Sequence, residues 1–545
     1  MAKRVLCLGG GYVAMWFAKA TRKSLIRGEL DVTIVCRDNF HVFHGFVHEM
    51  LTGKLQPGQI ISPLRRIFPP AKFYNCEIES IDLQKRTVTA SRVLDGRQYT
   101  LEYDHLVLAL GSTEDLSRYA GLAEHAQKLK TYGDCLKTRN HILTMLEFAA
   151  VETDKEERRR LLTFVIAGGN FGGIETATDL HEYLYALIKR EYSHISPEEL
   201  KVIVVHSGNR ILPEIERYPR LVSWAERHIG RQKIELRLNT RVSVATSEEV
   251  VLSNGERIPS RTIISCAGTA QSPLLDTLDL PRDARGRVET DEFLRVKGRD
   301  NLWAGGDCGA VPHPEGGVCP PLAIFALTAG RQIGRNIVRT ESNRPLEKYR
   351  FTGIGDGVSV GGRNAVAHLR GIQMTGLVAW FAWRVMLLAF VPTWDRKIRI
   401  AIDWMLWPII GRDIVNLEVA KPYGMRRELF EAGQDIVRKG DIGHRLYLIW
   451  SGEVDVIRDE GDESKVLATL GPGEHFGEIS VFEGLRRTAT VRARTRVELL
   501  SIGQQEAIAM ATVSDQFSPL RSLPRTASRS EPPAPIARRV AQEGP

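Results

Sequence analysis

A glycine-rich turn near the start of the chain has the residue types that bind a phosphate. Gly9, Gly11 and Ala14 directly follow the apolar run at residues 4–8. A phosphate held at the N-terminus of a helix needs backbone N–H groups and no side chain in the way. This spacing provides a tight turn, a close approach for a pyrophosphate and close packing of the helix. The sequence therefore predicts a dinucleotide site at this turn.

A second turn, much later in the chain, repeats the pattern with one departure. Gly168 and Gly173 flank Asn170, which stands where the middle glycine is expected. Asn tolerates the left-handed conformation, so the turn survives, but its side chain could crowd a pyrophosphate. Glu175 follows in the first turn of the helix, where it either complements the positive helix end or lies near a nicotinamide ring. The sequence predicts a second dinucleotide site here.

The acid that usually binds the ribose hydroxyls is missing at the end of both second strands. Cys36 stands at that position in the first unit, where Asp38 could substitute, and His206 stands there in the second. A missing carboxylate next to Arg210 removes a repulsion against a 2′-phosphate. NADH and NADPH therefore both stay open.

Both turns need the same surroundings, which are a strand before the turn, a helix after it and a further strand. The sequence provides them twice, at residues 4–36 and 163–205. Further strands end in small residues at 103–112 and 262–267, and the strand at 301–307 ends in an acid. This alternation predicts an α/β fold with two Rossmann-like dinucleotide-binding domains, one nested in the other.

The composition limits the classes of protein and partner. The chain has 545 residues, 43% hydrophobic and 26% charged, which rules out bulk disorder. A mean hydropathy of −0.18 rules out a polytopic membrane protein. The net charge of +8 fits an anionic membrane surface or nucleotide, whereas the mixing of basic with acidic residues argues against a nucleic-acid partner.

The 7 cysteines are scattered and form no C-x-x-C pair. This pattern argues against a disulfide scaffold, a metal site and a redox-active thiol pair. The apolar run at the start of the chain is too short for a signal peptide. We therefore expect a cytoplasmic protein.

Together these pieces resemble the type II NADH:quinone oxidoreductases, flavoproteins of the pyridine nucleotide-disulfide oxidoreductase superfamily. The resemblance extends from residue 3 to about 415 and is carried by the two turns and by residues 37–43, 103–112, 210–213, 305–308 and 380–384. It implies that FAD lies on the first turn and NAD(P)H on the second. NAD(P)H would reduce the flavin, which would then pass two electrons to an acceptor.

The resemblance also supplies candidate residues for each ligand. The FAD candidates are Gly9, Gly11, Ala14, Arg37, Ala109, Gly111, Gly306 and Asp307, of which Asp307 would reach the ribityl or phosphate region. The NAD(P)H candidates are Gly168, Asn170, Gly173, Glu175, His206 and Gly268. Glu175 is the catalytic candidate.

The helix expected to form the quinone site departs from the family pattern A-Q-x-A-x-Q. Ala323 and Ala326 are kept, but Ile324 and Thr328 replace both glutamines. Glutamine amides can donate hydrogen bonds to quinone carbonyls and isoleucine cannot. The acceptor is therefore either a quinone held by packing and backbone or another small molecule.

Residues 376–391 are almost wholly apolar, yet they fall short of the roughly 20 residues that span a bilayer. We predict an amphipathic hairpin within residues 371–422 that attaches the protein peripherally to the inner face of the plasma membrane. The alternative is a dimerisation or core helix, which would fit a homodimer. The cations expected to meet anionic lipid are Arg384, Arg396, Lys397 and Arg399.

Residues 423–510 change to short alternating strands separated by glycines, which predicts a β-barrel. Residues 476–490 closely resemble the phosphate-binding cassette of cyclic-nucleotide-binding domains. The resemblance implies that Glu478 binds the ribose 2′-hydroxyl and Arg487 the cyclic phosphate, helped by backbone N–H groups near Gly477, Thr488 and Ala489. Thr488 could bond a guanine amino group, so cAMP and cGMP both stay open.

The expected layout is an FAD-binding domain in two parts at 1–150 and 273–370, an NAD(P)H-binding domain at 151–272, the membrane segment, the barrel and a disordered basic tail at 511–545. We predict a flavin-dependent NAD(P)H dehydrogenase that responds to a cyclic nucleotide. One alternative is a non-enzymatic redox and cyclic-nucleotide sensor. Another is a flavin reductase acting on a soluble acceptor or a protein disulfide, and the lack of a cysteine pair argues against the disulfide.

Overall fold

Two parallel sheets of the same design carry the two glycine turns. The computed structural model describes residues 2–117, 119–415, 425–441, 443, 445–460, 463–483, 485–504 and 506–507. In the first sheet the strands lie in the order Leu302–Ala304, His105–Leu108, Lys3–Leu8, Leu30–Cys36 and Lys72–Asn75. In the second the order is Ala126–Gln127, Thr262–Ser265, Thr163–Ala167, Lys201–Val205 and Glu235–Arg237.

The helices cover both faces of these sheets and extend beyond them. They are α1 (Tyr12–Ile26), α2 (Val47–Leu51), α3 (Leu64–Ile67), α4 (Leu122–His125), α5 (Tyr132–Val151), α6 (Lys155–Leu161), α7 (Phe171–Arg190), α8 (Pro219–Arg231), α9 (Ala323–Glu341), α10 (Gly376–Phe390), α11 (Trp394–Ile410) and α12 (Glu478–Glu483). Their cover explains the continuous apolar runs of the central strands, since a parallel sheet is buried on both faces.

Helix α1 packs closely against α9 beneath the first turn. A Cβ atom at Gly330 would clash with the carbonyl of Val13, and one at Gly334 would lie 2.8 Å from the Cβ of Ala20. The missing side chains therefore let the two helix backbones approach each other. This contact joins the start of the chain to the segment that follows the second unit, as the predicted nesting requires.

The second unit begins earlier than the sequence suggests. Helix α5 packs with α7 and the second sheet through Ile142, Leu146 and Ala149, all fully buried. The expected boundary after residue 150 falls at the end of this helix, because a helical pattern does not reveal which sheet the helix covers. Val358 and Val366, from a small antiparallel sheet, join the same core.

Short antiparallel strands complete the two units. Three-stranded sheets are formed by Glu77–Asp82, Thr87–Ser91 and Gln98–Glu102, by Val242–Ala245, Glu249–Leu252 and Arg257–Pro259, and by Gly355–Ser359, Ala365–Leu369 and Ile372–Thr375. Two-stranded pairs are Phe40–Val42 with Ile61–Pro63, Thr113–Glu114 with Thr269–Ala270, and Val288–Glu289 with Gly309–Ala310.

The C-terminal unit has two four-stranded antiparallel sheets around one apolar core, in agreement with the expected barrel. One sheet contains Arg426–Phe430, Val497–Gly503, Arg445–Ser451 and His475–Phe476. The other contains Asp435–Val437, Thr490–Ala493, Val454–Glu460 and Glu463–Leu470. The tail predicted to be disordered, 511–545, lies outside the described residues.

Helices α10 and α11 form the hairpin expected before the barrel. Ala379 of α10 packs on Ala365 and Ala367 of the small sheet, and Ile400 of α11 is fully buried against the body of the protein. Among the helices of the described residues, none has both the length and the apolar character needed to cross a bilayer.

Candidate functional site

The first glycine turn leaves open space at the N-terminus of α1. Gly9 has a φ of +117°, and a Cβ there would clash with the Ala109 carbonyl, so only glycine fits. Gly11 caps α1, and a Cβ at Gly11 would meet no protein atom within 4 Å. Ala14 is fully buried, which keeps the helix close to the sheet. An open space at the N-terminus of a helix fits a pyrophosphate.

The other FAD candidates gather at the carboxyl edge of the first sheet. Ala109 and Gly111 follow one strand, and Gly306 and Asp307 follow the neighbouring one. Asp307 Oδ2 accepts a hydrogen bond from the Ser112 hydroxyl at 2.8 Å. The carboxylate is thereby held in place, which suits a residue that orients a cofactor.

Arg37 lies further along the same edge, just after strand Leu30–Cys36. Its side chain is 55% exposed and lies 3.8 Å from Glu77 and 3.9 Å from Asp38. Such exposed pairs are weak, so the guanidinium can turn toward an anionic ligand at little cost.

The second turn is held by its own side chains. Gly168 has a φ of +128°, and a Cβ at Gly173 would clash with the Gly168 carbonyl. Asn170 caps α7: its Oδ1 accepts from the Gly173 N–H at 2.9 Å, and its Nδ2 donates to the Cys266 carbonyl at 2.7 Å. Asn170 is thus a capping residue whose side chain is bound on both sides.

Two further side chains hold backbone donors of the second turn. His206 Nδ1 accepts from the Gly169 N–H at 3.2 Å, and burial lowers the pKa of this imidazole, which keeps it a neutral acceptor. Glu214 Oε1 accepts from the Phe171 N–H at 3.0 Å, the first amide of α7. Glu214 Oε2 is buried without a partner, and burial raises the pKa of this carboxyl. In the sequence, nothing but its place after Pro213 pointed to Glu214.

A cavity of about 310 Å³ lies between the two units, and Asn170 and Glu175 are the predicted site residues in its lining. Gly268 adjoins it, between Ala267 and Thr269 of the lining. The first unit contributes His44, Val47, His48, Thr113 and Glu114, and the second contributes Leu129, Lys130, Asn170, Gly172, Glu175, Thr176, Glu214, Ser265, Cys266, Ala267 and Thr269. A ligand on the second turn can extend into this space.

Glu175 lies in the wall of the cavity and is nearly buried. Its Oε1 accepts from the Ser359 N–H at 3.2 Å, and its Oε2 lies 3.4 Å from His48 Nδ1. Burial raises the pKa of Glu175 to about 7. Near neutral pH this carboxyl can therefore both hold and release a proton.

Behind Glu175 a row of buried ionisable groups follows α7. His48 Nε2 lies 3.8 Å from Asp179 Oδ2, and Lys54 Nζ lies 2.7 Å from Asp179 Oδ1. Lys54 is also 3.5 Å from Glu182. Neither His48 nor Lys54 was predicted, because their partners lie far away in the sequence.

Arg384 does not face lipid, which corrects one expectation. Its guanidinium lies 4.3 Å from the ring of Trp380 and 4.4 Å from that of Trp404, and it forms a buried ion pair with Glu49. The indole of Trp404 donates to the other oxygen of Glu49 at 2.7 Å. Local hydropathy could not reveal this, because the carboxylate is distant in sequence. The charge fastens the hairpin to the protein body.

The opposite side of the hairpin exposes large apolar side chains. Phe381 is 64% exposed and Trp394 78%. With them lie Leu377, Val378, Val385, Ile398, Ile402, Met405, Leu406 and Ile409, which together we call the apolar face. Of the remaining expected cations, Arg399 is exposed and Lys397 donates to the Ala389 carbonyl at 2.8 Å. Arg396, also expected at lipid, is only 16% exposed and lies 3.8 Å from Asp395.

At the start of α9, the expected quinone residues are only partly available. Ala323 is exposed and Ile324 half-buried. The Thr328 hydroxyl lies 2.9 Å from the Ile324 carbonyl and 2.7 Å from the hydroxyl of Tyr349. Thr328 is therefore engaged within the protein and does not replace a glutamine amide.

In the barrel, the structure brings three predicted cassette residues, Gly477, Glu478 and Arg487, close to one another. Arg487 is 6% exposed and donates to the carbonyls of Gly477 at 3.0 Å and Arg445 at 2.8 Å. Burial lowers the pKa of this guanidinium. Glu478 Oε2 is buried without a hydrogen-bond partner. A buried cation on neutral acceptors and an unpaired carboxylate oxygen fit a cyclic phosphate and a ribose hydroxyl. Thr488 and Ala489 precede strand Thr490–Ala493 at this site.

These features define a protein with two dinucleotide-binding domains, a cavity between them and a C-terminal β-barrel. Residues 3–329 match the family described as pyridine nucleotide-disulphide oxidoreductase, and the chain belongs to that family of oxidoreductases. Residues 427–512 match the cyclic nucleotide-binding domain.

Similar proteins agree with this assignment. A probable NADH dehydrogenase of Dictyostelium discoideum is 26% identical over 418 residues, covering 76% of this chain and 91% of the relative. A type II NADH:quinone oxidoreductase of Mycobacterium tuberculosis is 28% identical over 417 residues, covering 74% and 86%. In both matches most of the relative's length is covered.

Solved structures show the same fold. The NDH2 of Plasmodium falciparum, solved with NADH, has a TM-score of 0.71 and 16% identity, covering 76% of this chain and all of that one. The sulfide:quinone oxidoreductase of Aquifex aeolicus has a TM-score of 0.59 and 19% identity, covering 76% and 96%.

Proposed function

We propose that the protein oxidises NADH and reduces a quinone at a membrane surface, with FAD on the first turn. The observation that carries the proposal is the cavity between the two units, which Asn170 and Gly172 of the second turn line together with Glu175. Relatives named as NADH:quinone oxidoreductases support the same activity. Bound FAD would supply two-electron redox chemistry between nicotinamide and quinone.

The residues of the first turn fit a resident FAD. Gly11 presents an open space at a helix N-terminus, and Asp307 is held by Ser112. Backbone donors fix the phosphates without a side chain to displace, and the fixed carboxylate can orient a polyol hydroxyl.

Glu175 is proposed to hold the proton that the reaction consumes. NADH oxidation coupled to quinone reduction takes up one proton. NADH gives up a hydride, which is one hydrogen with two electrons, whereas reduction of a quinone to a quinol adds two hydrogens. The Oε2 of Glu175 faces His48, behind which Asp179 and Lys54 continue the row of ionisable groups. This row lets a proton be replaced without opening the cavity to water.

We propose NADH as the preferred nicotinamide. Arg210 follows the strand end at His206, but its Nη2 lies 2.6 Å from Glu226 Oε2 and 2.8 Å from the Ser223 hydroxyl. A 2′-phosphate would have to break the Arg210–Glu226 ion pair to reach the guanidinium.

Anaerobic titration of the purified yellow protein with NADH and with NADPH tests both the proposed activity and the preference for NADH.

NADH should bleach the flavin at lower concentration than NADPH, and a soluble quinone should restore the colour. A colourless protein that gains no flavin absorbance when FAD is supplied would contradict the proposed activity. It would favour the non-enzymatic sensor instead.

The apolar face is proposed to lie in the interfacial layer of a membrane, with Arg399 meeting anionic lipid. Co-sedimentation with phosphatidylglycerol vesicles tests this. Phe381→Asp should lower binding at least tenfold, while Leu94→Asp, at a 97% exposed site outside the hairpin, should not. Equal binding by the two variants would reject the hairpin as the attachment site.

The barrel is proposed to bind cAMP or cGMP and thereby regulate the oxidoreductase. Arg487→Ala should remove nucleotide binding, since the buried cation is lost, while the barrel stays folded by circular dichroism. Arg492→Ala, on the exposed face of the neighbouring strand, is the matched control. Unchanged affinity in Arg487→Ala would reject this site.

A further inference from the structure

A single short segment, residues 125–130, contacts the barrel at one end and the cavity at the other. At its start, His125 closes α4, and its Nε2 accepts the Leu429 N–H at 3.0 Å. Leu429 belongs to barrel strand Arg426–Phe430. At its end, Lys130 lines the cavity between the two units.

On the barrel side, hydrogen bonds connect His125 with Arg487. Arg487 donates to the Arg445 carbonyl at 2.8 Å, and Arg445 Nε donates to the Ser501 hydroxyl at 3.0 Å. Ser501 in turn donates to Glu428, which directly precedes Leu429. A cyclic phosphate that attracts Arg487 competes with the Arg445 carbonyl, and so acts on the strand that contacts His125.

On the cavity side, Lys130 holds a predicted FAD residue. Its Nζ donates to the Ser112 hydroxyl at 2.8 Å, and that hydroxyl donates to Asp307 at 2.8 Å. The Lys130 carbonyl lies 2.9 Å from His44 Nε2. A shift of Lys130 would therefore change the orientation of Asp307 and His44 together.

The first part of the segment between the two ends is held in a sheet. Ala126–Gln127 pairs in parallel with strand Thr262–Ser265 in the second sheet. A displacement at His125 would thus act on backbone that is hydrogen-bonded in place, from which residues 128–129 lead directly to Lys130. Burial lowers the pKa of His125 to about 4, so the ring stays a neutral acceptor at physiological pH.

We propose that Lys130 is a positioning residue for the cavity, and that the His125–Leu429 contact couples its position to nucleotide occupancy at Arg487. This inference rests on the proposed function, because it assigns the regulation of the same site. Coupling between two sites is reciprocal, so NAD⁺ bound at the cavity must alter cyclic-nucleotide affinity by the same factor. That equilibrium can be measured without turnover.

A separate contact allows the coupling to be cut without undocking the barrel. Gln434 Nε2 donates to Glu249 at 3.2 Å, on a sheet of the second unit outside the segment. Removing the His125 ring therefore leaves this attachment in place. His125→Gln keeps an acceptor near the Leu429 N–H and serves as the conservative variant.

The experiment measures the affinity of the full-length, FAD-loaded protein for fluorescent cAMP and cGMP, with and without saturating NAD⁺. For the effective nucleotide we expect a shift of at least about fivefold in the wild type. His125→Ala and Lys130→Met should bind the nucleotide in the absence of NAD⁺ as the wild type does, and should lose the shift. His125→Gln should restore most of it.

Hydrogen exchange of the peptide covering residues 122–132 provides a second readout. The nucleotide should change its protection in the wild type but not in His125→Ala. The coupling would be overturned if NAD⁺ does not change the cyclic-nucleotide affinity of the wild type. It would also be overturned if His125→Ala shows the full wild-type shift in this affinity. A protein that shows the shift but no NADH oxidation would contradict the proposed function and support the coupling.

Discussion

The two glycine turns lie in the same strand–turn–helix arrangement, but they differ in the protein groups that contact the turn. At the first, the space beside Gly11 is open. At the second, Asn170, His206 and Glu214 already satisfy the backbone donors of the turn. A ligand enters the first turn without displacing a protein group, whereas one entering the second competes with internal acceptors. The difference suits a resident cofactor at one turn and an exchanging cosubstrate at the other.

The helices after the turns differ in a matching way. Glu175 of α7 and Trp16 of α1 stand at the same distance from their turns. Trp16 stacks with Arg331 of α9 at 4.0 Å, so it joins helices, while Glu175 opens into the cavity. Equivalent positions in the two units thus hold Trp16, which packs helices together, and Glu175, which is ionisable and lines the cavity.

The largest effect is expected from filling the open turn. Gly11→Leu should lower the flavin content of the purified protein more than tenfold, because the new side chain occupies the space of the pyrophosphate. The fold should persist, since a Cβ there meets no protein atom. The visible-to-ultraviolet absorbance ratio gives the flavin content. Gly58→Leu, also at an open site, is the control. Normal flavin content in Gly11→Leu would place FAD elsewhere.

Glu175→Gln should lower the quinone-dependent kcat about 100-fold by removing a group that holds a proton. In the wild type, the rate should fall as pH rises through about 7, where the Glu175 carboxyl loses its proton. The variant should lack this inflection. A pH profile of kcat measures it, with Glu191→Gln at the exposed end of α7 as control. An inflection retained in Glu175→Gln would assign the proton to another group.

Glu214→Gln should lower the KM for NADH about fivefold at pH 8. The change removes a negative charge from the N-terminus of α7, where its repulsion of the NADH phosphates costs about 1 kcal/mol. The new amide still leaves an acceptor for the Phe171 N–H. Because burial raises the pKa of Glu214, this carboxylate becomes protonated and neutral in the wild type as the pH falls. The KM values of the two proteins for NADH should therefore become equal at lower pH. Initial rates at several pH values test this. An unchanged or higher KM would mean that the carboxylate does not oppose NADH.

Asn170→Gly, which restores the expected glycine, should have the smallest effect. The loss of two hydrogen bonds should lower the free energy of unfolding by about 1 kcal/mol in denaturant titrations. The KM for NADH should change less than twofold, because the amide is already bound to Gly173 and Cys266. A several-fold drop in KM would show instead that the Asn170 side chain obstructs the pyrophosphate.

The sequence predicted what depends on local spacing. Strands Thr163–Ala167 and Lys201–Val205 lie where the pattern placed them, because turn glycines and buried β-branched runs are neighbours in the chain. The resemblance of residues 476–490 likewise points to Arg487 and Glu478, whose roles in binding a nucleotide stay predictions. Glu175 was identified as a candidate from its distance to the second turn.

Features that depend on distant partners were missed or wrongly interpreted. Arg384 was expected at lipid because its sequence neighbours are apolar, while its partner Glu49 belongs to α2. His48 gained its place from contact with α7. The coupling segment gives no signal at all in sequence, since its importance comes from a barrel strand hundreds of residues later.

The buried Arg384–Glu49 pair also sets how the hairpin meets its surroundings. Since α10 and α11 are fastened to the body by charge and aromatic stacking, the apolar face is displayed before any lipid arrives. Docking then requires no refolding and proceeds as a rigid-body event. The same rigidity leaves hydrocarbon side chains in water whenever lipid is scarce, so detergent-free preparations should self-associate and mild detergent should disperse them.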